Sequence, residues 1–556
     1  MSAAPLPQKP ANPQSDSASG RPAPIGSGSL PLLGHLLAVR KNPLAVMQRI
    51  HEECGEAGVM NLAGSRITLF FGADAQEAFF RAPEEQLDQA AAYPFMAPIF
   101  GPGVVFDATP EQRKQAMRNA SLRDNMMRGH ADGIAKEVRR MLASWGERGE
   151  IDLYDFFSEL TLYTSSASLI GKTFRDELGP EFVPLFKDLE RGTDALAYVN
   201  PHLPLPVFWK RDRARRQMVE ALEKIFERRV QDSAEDGKYS DLFQILHGLK
   251  DKDGKRRYDN EQITGMFISM MFAGHHTSST VGSWCLLELL MNPTCMQPVQ
   301  AELDELYADG REVSYQALRE IPILERCLKE SLRMHPPLVL LMRRVMGTPY
   351  RYKDIEVPVG EIVGVSPAIS NRMPEHFPDP ERFDPDRYAD GRNEDRQVFS
   401  WIPFGGGRHR CVGAAFAMMQ LKAIFSILLK EYEFELAAPS SSYGNDYSKM
   451  VVGLRQPCRV QYRRRASASP QHRSEETIAR LDAEAARPYC IKIDLDLCQG
   501  HGVCVNEAPE IFELDAEELK VRVLNDQPDH DHRPPIESAI RNCPTGAIRL
   551  VEKPLA

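Results

Sequence analysis

One segment, Pro403 to Leu429, restricts this chain more than any other: PFGGGRHRCVGAAFAMMQLKAIFSILL. Its three successive glycines, Gly405, Gly406 and Gly407, permit backbone conformations and close approaches that a Cβ would block. Cys411 follows, immediately ahead of an apolar run that reads as a helix starting near Gly413. Backbone N–H groups at that helix start can point at the sulfur and favour its thiolate. Arg408, His409 and Arg410 add positive potential beside it. Taken alone, a cysteine beside a glycine turn reads as an ordinary core residue. The rest of the chain decides between that and a metal-binding thiolate.

A chain of 556 residues is too long for one compact core, so at least two domains are expected. Its net charge of −10 argues against nucleic acid as the main partner and gives no attraction to an anionic membrane. Residues 1–29 are rich in Pro, Ser and Ala without an apolar core, which predicts a disordered segment rather than a signal peptide or anchor. Ile263 to Met291 is the most hydrophobic later stretch. It is interrupted by Gly274, His275, His276, Thr277 and Ser278, so it reads as a buried helix, not a bilayer span. A cytoplasmic protein follows as the expectation. The ten cysteines form no disulfide framework, and Cys285 and Cys327 read as inert core residues.

From Leu30 to Arg464 the pattern is mostly helical, with β-like insertions around Ile67–Phe71 and Val345–Val363. Residues 465–487 have few apolar side chains and read as a linker, with helix possible from Glu475 to Ala486. If flexible, its roughly 20 residues would span about 25 Å. A small domain follows at 488–556, carrying 13 acidic and 7 basic residues, a net of −6. A domain of that size commonly needs a metal or cross-link for stability. Its acidity suggests electrostatic docking onto a basic face.

The frame F-x-x-G-x-x-x-C-x-G, set by Phe404, Gly407, Cys411 and Gly413, resembles that of the cytochrome P-450 family. Glu330 and Arg333 in KESLRMHPP share a helical face, and PERFDPDR lies downstream in the family's order. The resemblance implies that a later arginine, expected to be Arg382, joins this pair to hold the haem-binding core together. It also implies a mainly α haem-thiolate monooxygenase fold with small β-sheets. Cys411 would be the axial ligand of haem b, a thiolate that favours O–O cleavage.

Two further segments narrow the resemblance. In MFISMMFAGHHTSSTV, Ala273 and Thr277 lie four apart on one helical face, and the Thr277 hydroxyl can bond back to the carbonyl of residue 273. Small Ala273 and Gly274 leave room for dioxygen. His276 stands where many family members carry a carboxylate. Alone, it would read as a hydrogen-bonded core histidine; in this string a protonatable imidazole could feed a proton relay. The second segment, YPFMAPIFGPGVVFDATPEQRK, is an aromatic, Gly/Pro-interrupted loop suited to an apolar pocket. With Pro98, Phe100, Gly101 and Val104 it is similar to the corresponding region of the sterol 14α-demethylases. That likeness implies removal of a sterol 14α-methyl group by three successive oxidations, each consuming dioxygen and two electrons. By the same likeness Tyr93, Lys114, Arg343 and His409 would hold the haem propionates, with Gln89 nearby. Tyr93, Phe95, Met96, Phe100, Leu338, Ala273, His276 and Thr277 would contact substrate.

In the tail, Cys498, His501 and Cys504 occupy the positions of a C-x2-C-x2-C run, with Cys543-Pro544 as a distant C-P ligand. A cubane cluster normally uses four thiolates. The histidine in place of the middle cysteine predicts a [3Fe–4S] cluster in a small α+β ferredoxin-like domain. A [4Fe–4S] cluster with His501 bound, or a Cys3His zinc site, stay open on the residues alone. Cys490 lies outside the motif. No strand-flanked G-x-G-x-x-G occurs, so a separate NAD(P)H-dependent reductase is expected to supply electrons to a monomeric enzyme.

Overall fold

The computed structural model describes residues 20–106, 124–177, 179, 182–232, 242–250, 254–389, 391–407, 410–466, 489–495, 498, 500, 502–515, 520–526, 528–529, 532–543 and 547–552. Strands Ala57–Leu62 (β1) and Ser65–Phe70 (β2) form a hairpin turned by Ala63 and Gly64, both at positive φ. Helix Ala73–Arg81 (α1) and the short strand Leu87–Asp88 (β3) follow. Helices Leu153–Ser165 (α2) and Phe182–Arg191 (α3) precede the longest element, Asn260–Met291 (α4). Beyond it come Pro322–Met334 (α5), strands Leu341–Val345 (β4) and Ile362–Val365 (β5), and helix Ala414–Glu431 (α6).

The largest sheet has the order β1-β2-β5-β4-β3, parallel only between β2 and β5. β2 and β5 overlap the β-like segments of the sequence and β4 ends where the second begins, whereas β1 and β3 lie outside both. Val345–Val363 is divided into short pieces with turns at Gly347 and Gly360, both at positive φ, and its middle strands Tyr350–Tyr352 and Ile355–Val357 pair in a separate hairpin.

Helix α4 starts at a capping box, in which Asp259 and Gln262 exchange bonds of 2.7 and 3.1 Å. Its 32 residues make it about 48 Å long. It is buried on nearly every side, which explains an apolar sequence without a polar face. It packs most extensively on α2, where a Cβ at Gly282 would stand 2.4 Å from the Phe157 ring. Helix α5 is started by Glu302, whose carboxylate accepts from the N–H groups of Ile323 (2.8 Å) and Leu324 (3.0 Å). No helix among the described residues is long and apolar enough to cross a membrane.

The small C-terminal part pairs Tyr489–Ile493 (β6) antiparallel with Ile548–Glu552 (β7), and includes helices Val503–Glu507 (α7) and Arg533–Asn542 (α8). At the other end, the expectation of disorder through residue 29 does not hold for residues 20–29. Arg21 pairs with Ile355 and Ile25 with Val59, and Ala23 is buried. Main-chain pairing onto existing strands orders this stretch without an apolar run of its own. The expected linker helix at Glu475–Ala486 lies outside the described residues.

Candidate active site

Cys411 sits in a tight loop between Phe404 and α6. Its N–H donates to the Phe404 carbonyl at 2.9 Å, and Gly405 and Gly407 both take positive φ. The glycines are needed for contact as well as for conformation. A Cβ at Gly407 would stand 2.4 Å from the Phe80 carbonyl, and one at Gly406 would stand 2.7 Å from the Phe399 ring. The loop is thus pressed onto the end of α1. Burial pushes the Cys411 thiol up, while the Gly413 N–H and Arg410 pull it down. Yet Cys411 has accessible surface, although protein encloses it closely enough to shift its pKa. Ala273 is likewise accessible in the middle of buried α4. An accessible thiol just ahead of α6 and an accessible small residue in the middle of a buried helix are what a flat macrocycle ligated by sulfur requires, so the residues fit a haem.

Thr277 Oγ1 donates to the Ala273 carbonyl at 2.7 Å, as the four-residue spacing predicts. His276 does not join this pair. It is buried with Nδ1 3.3 Å from Glu190 Oε1 on α3, and Glu190 also meets Lys449 Nζ at 3.0 Å. Burial, with Lys449 nearby, holds the His276 pKa well below the usual imidazole range; burial and His276 do the same to His275. His276 is therefore neutral near pH 7, not a standing acid. Its Nε2 has no hydrogen-bond partner among the described residues. The sign of the linkage follows. Unfolded imidazoles take up protons below about pH 6.5 while these two do not. Their contribution to stability is present above that pH and is lost progressively as pH falls through it. Denaturant midpoints measured at about pH 7, 6 and 5 should fall more steeply in the native chain than in His276→Gln. Parallel slopes would refute this.

The aromatic loop lies along α4. Phe100 meets Phe272 edge-on at 5.8 Å and stacks near Phe106 at 5.8 Å, and Phe95 touches Tyr198 at 4.2 Å. Gly265 permits the approach, since a Cβ there would stand 2.1 Å from the Phe100 carbonyl. Tyr93, Phe95, Met96 and Phe100 are all buried. Leu338, half-buried, pairs with Val451. Tyr93 Oη accepts from the Met342 N–H at 2.9 Å, and burial pushes its pKa up to about 12. The neighbouring Arg343 is buried and donates to the Phe79 carbonyl at 2.6 Å. Gln89 is half-buried at the start of a short 3-10 turn. Lys114 and His409 lie outside the described residues.

Glu330 and Arg333 pair through two bonds of 2.8 Å with both side chains fully buried. The third member is Arg387, not Arg382. Arg387 Nε donates to Glu330 Oε1 at 2.9 Å, while exposed Arg382 contributes only its main-chain carbonyl, to Arg333 and Arg387 at 3.3 Å each. The short 3-10 turn Pro385–Tyr388 turns Arg387 inward, while Arg382 lies ahead of it and is exposed. Tyr388 Oη also donates to Glu330, at 3.0 Å. The second arginine of PERFDPDRY was the available signal.

In the small domain, Cys498 and Cys504 are buried and Cys543 is half-buried. Burial pushes the Cys504 thiol up to about 12, with Cys543 and Cys498 close enough to add to the rise. Lys520 Nζ donates to the Leu495 carbonyl at 2.8 Å and to the Cys498 carbonyl, fixing that loop. Among the described residues no three such side chains are gathered closely enough for a single metal ion, but three thiols that act on one another in one small core have the chemistry that an iron–sulfur cluster uses. His501 lies outside the described residues.

The family described as Cytochrome P450 matches residues 24–460, and that described as 4Fe-4S single cluster domain of Ferredoxin I matches residues 493–550. A sterol 14alpha-demethylase of Mycobacterium tuberculosis is 56% identical over 433 residues, spanning 78% of this chain and 96% of the relative. A sterol 14-demethylase of Arabidopsis thaliana is 36% identical, over 81% of this chain and 93% of its own. A lanosterol 14-alpha demethylase of Bos taurus is 33% identical, over 80% and 90%. Among solved structures, cyanobacterial CYP120A1 with retinoic acid bound aligns with a TM-score of 0.70 at 23% identity. That alignment covers 81% of this chain and all of the other, and supports the fold alone.

Proposed function

The chain belongs to the cytochrome P450 family, and from that premise we propose that it is a sterol 14α-demethylase joined to its own ferredoxin. The observation that carries this reading is the aromatic loop Tyr93–Phe106 laid along α4, the helix that also carries the Ala273–Thr277 bond. Haem b held by the Cys411 thiolate supplies the oxygen chemistry. The chain's own residues supply position. Tyr93, Gln89 and Arg343, with Lys114 and His409 by their place in the sequence, would hold the haem propionates. Tyr93, Phe95, Met96, Phe100 and Leu338 pack an apolar ring system so that its 14α-methyl points at Ala273. The Thr277 hydroxyl holds a proton at the groove, and His276, buried and neutral against Glu190, is assigned proton exchange behind it through Nδ1. The methyl becomes an alcohol, then an aldehyde, and leaves as formate while a ring double bond forms.

The small domain supplies electrons singly and draws them from a separate NAD(P)H-dependent reductase. We assign it a [3Fe–4S] cluster, because His501 stands in place of the middle thiolate. The whole chain acts as a cytoplasmic monomer. Titration of the purified protein with lanosterol should shift the haem band from low to high spin and saturate, and turnover with a reductase should release formate. No shift with lanosterol or its C4-monomethyl analogue would sink the sterol assignment and leave the haem–ferredoxin reading intact. For the cluster, a paramagnetic signal in the oxidised protein is expected. A signal that appears only on reduction would replace the assignment with [4Fe–4S].

A further inference from the structure

The two parts of the chain meet through a small set of polar contacts. Arg319 Nη2 pairs with Glu507 Oε2 at 2.7 Å, and Tyr315 Oη donates to Glu507 Oε1 at 3.5 Å. Arg81 Nη2 donates to Asp494 Oδ2 at 3.0 Å. The apolar core of the small domain, with Tyr489, Ile511 and Phe512, is continuous with the cluster that contains Phe79, Phe80 and Phe399. These contacts have a location that matters. Arg81 ends α1, whose Phe80 carbonyl packs on Gly407 and whose Phe80 ring stacks on Phe399 at 5.7 Å. Phe399 in turn lies against Gly406 of the Cys411 loop.

On the other side, both acidic partners are attached to cluster ligands. Cys498 N–H donates to the Asp494 carbonyl at 3.0 Å, and Glu507 ends the helix α7 that carries Cys504. Cys543 packs against the same apolar cluster that contains Phe79, Phe80 and Phe399, on the side of Arg410 and the Cys411 loop. Cys543 is also the least buried of the three thiols. The most accessible edge of the cluster site is therefore the edge turned toward the Cys411 loop.

We infer that this is the electron-delivering pose. The small domain docks its Cys543 edge beside Arg410, clamped by Arg319–Glu507 and Arg81–Asp494, and the external reductase must use the same edge. When both groups are bound, Cys498, Cys504 and Cys543 would hold the cluster that gives up one electron and is oxidised, and Cys411 the haem iron that takes that electron and is reduced. The NAD(P)H-dependent reductase restores the cluster electron, so docking and re-reduction compete. This rests on the haem–ferredoxin reading but not on which lipid is oxidised.

The test uses the full-length holoprotein with Arg319→Glu, and with the charge swap Arg319→Glu/Glu507→Arg. Haem reduction by the pre-reduced cluster is followed by rapid mixing under carbon monoxide. Cluster reduction by a purified NADPH-dependent ferredoxin reductase is followed separately, and hydrogen exchange over residues 314–320 reports docking directly. Arg319→Glu should slow haem reduction about tenfold, speed cluster reduction and raise exchange, because the tether retains an effective concentration of about a millimolar but loses orientation. The swap should restore all three. Unchanged haem reduction and exchange, with both chromophores intact, would overturn the docking. Cluster reduction at or below the native rate would overturn the shared edge. Missing haem or cluster absorbance in the native chain would instead remove the underlying reading.

Discussion

Cys411→Ser is expected to fold, to bind little or no haem with thiolate character, and to lose turnover by on the order of 1,000-fold or more, about 4 kcal/mol of barrier. The loop around it is set by contacts that do not involve the sulfur: the Phe404 carbonyl, the Phe80 carbonyl under Gly407 and the Phe399 ring under Gly406. The loss therefore falls on ligation and not on shape. A hydroxyl at this position cannot give iron the electron density that a thiolate does. The carbon monoxide difference spectrum separates the two, since the thiolate band should disappear while far-ultraviolet dichroism stays native. A variant that retains the thiolate band would exclude Cys411 as the axial ligand.

Glu330→Ala is the largest expected stability effect. The carboxylate is fully buried and meets Arg333, Arg387, Tyr388 and the Asp384 N–H. Removing it strands two buried guanidinium groups, a loss of about 3–5 kcal/mol. Glu330→Gln keeps the shape and part of the hydrogen bonding, so it should lie between. Arg387→Ala should be nearly as damaging, whereas Arg382→Ala should cost little because its carbonyl remains. Thermal melts of the four variants check the order. Equal melts for Arg387→Ala and Arg382→Ala would contradict the cluster as described.

Much of this was legible in the sequence. The glycine–cysteine loop, the Glu330–Arg333 pair and the Ala273–Thr277 bond follow from local spacing, because each is fixed by residues a few positions apart. The identity of the third arginine was not, since Arg382 and Arg387 lie five apart in a segment without periodicity and only the turn at Pro385–Tyr388 chooses between them. The setting of His276 was hidden for a different reason. Its partners, Glu190 and Lys449, are far away in the chain, and periodicity can place a residue on a helix face without naming what covers that face. The order in residues 20–29 was missed because main-chain pairing leaves no hydrophobic signature.

Three successive residues at the end of α1 each face a different part of the molecule. The Phe79 carbonyl takes Arg343, the Phe80 carbonyl lies under Gly407, and the Arg81 side chain reaches Asp494. For anyone grafting a different donor onto this enzyme, α1 is the natural seam. A transplanted tail would inherit a landing site already packed on the Cys411 loop, and redesign of that landing site would be felt by the loop. Chimeras that move α1 together with the tail should tolerate exchange better than those that move the tail alone.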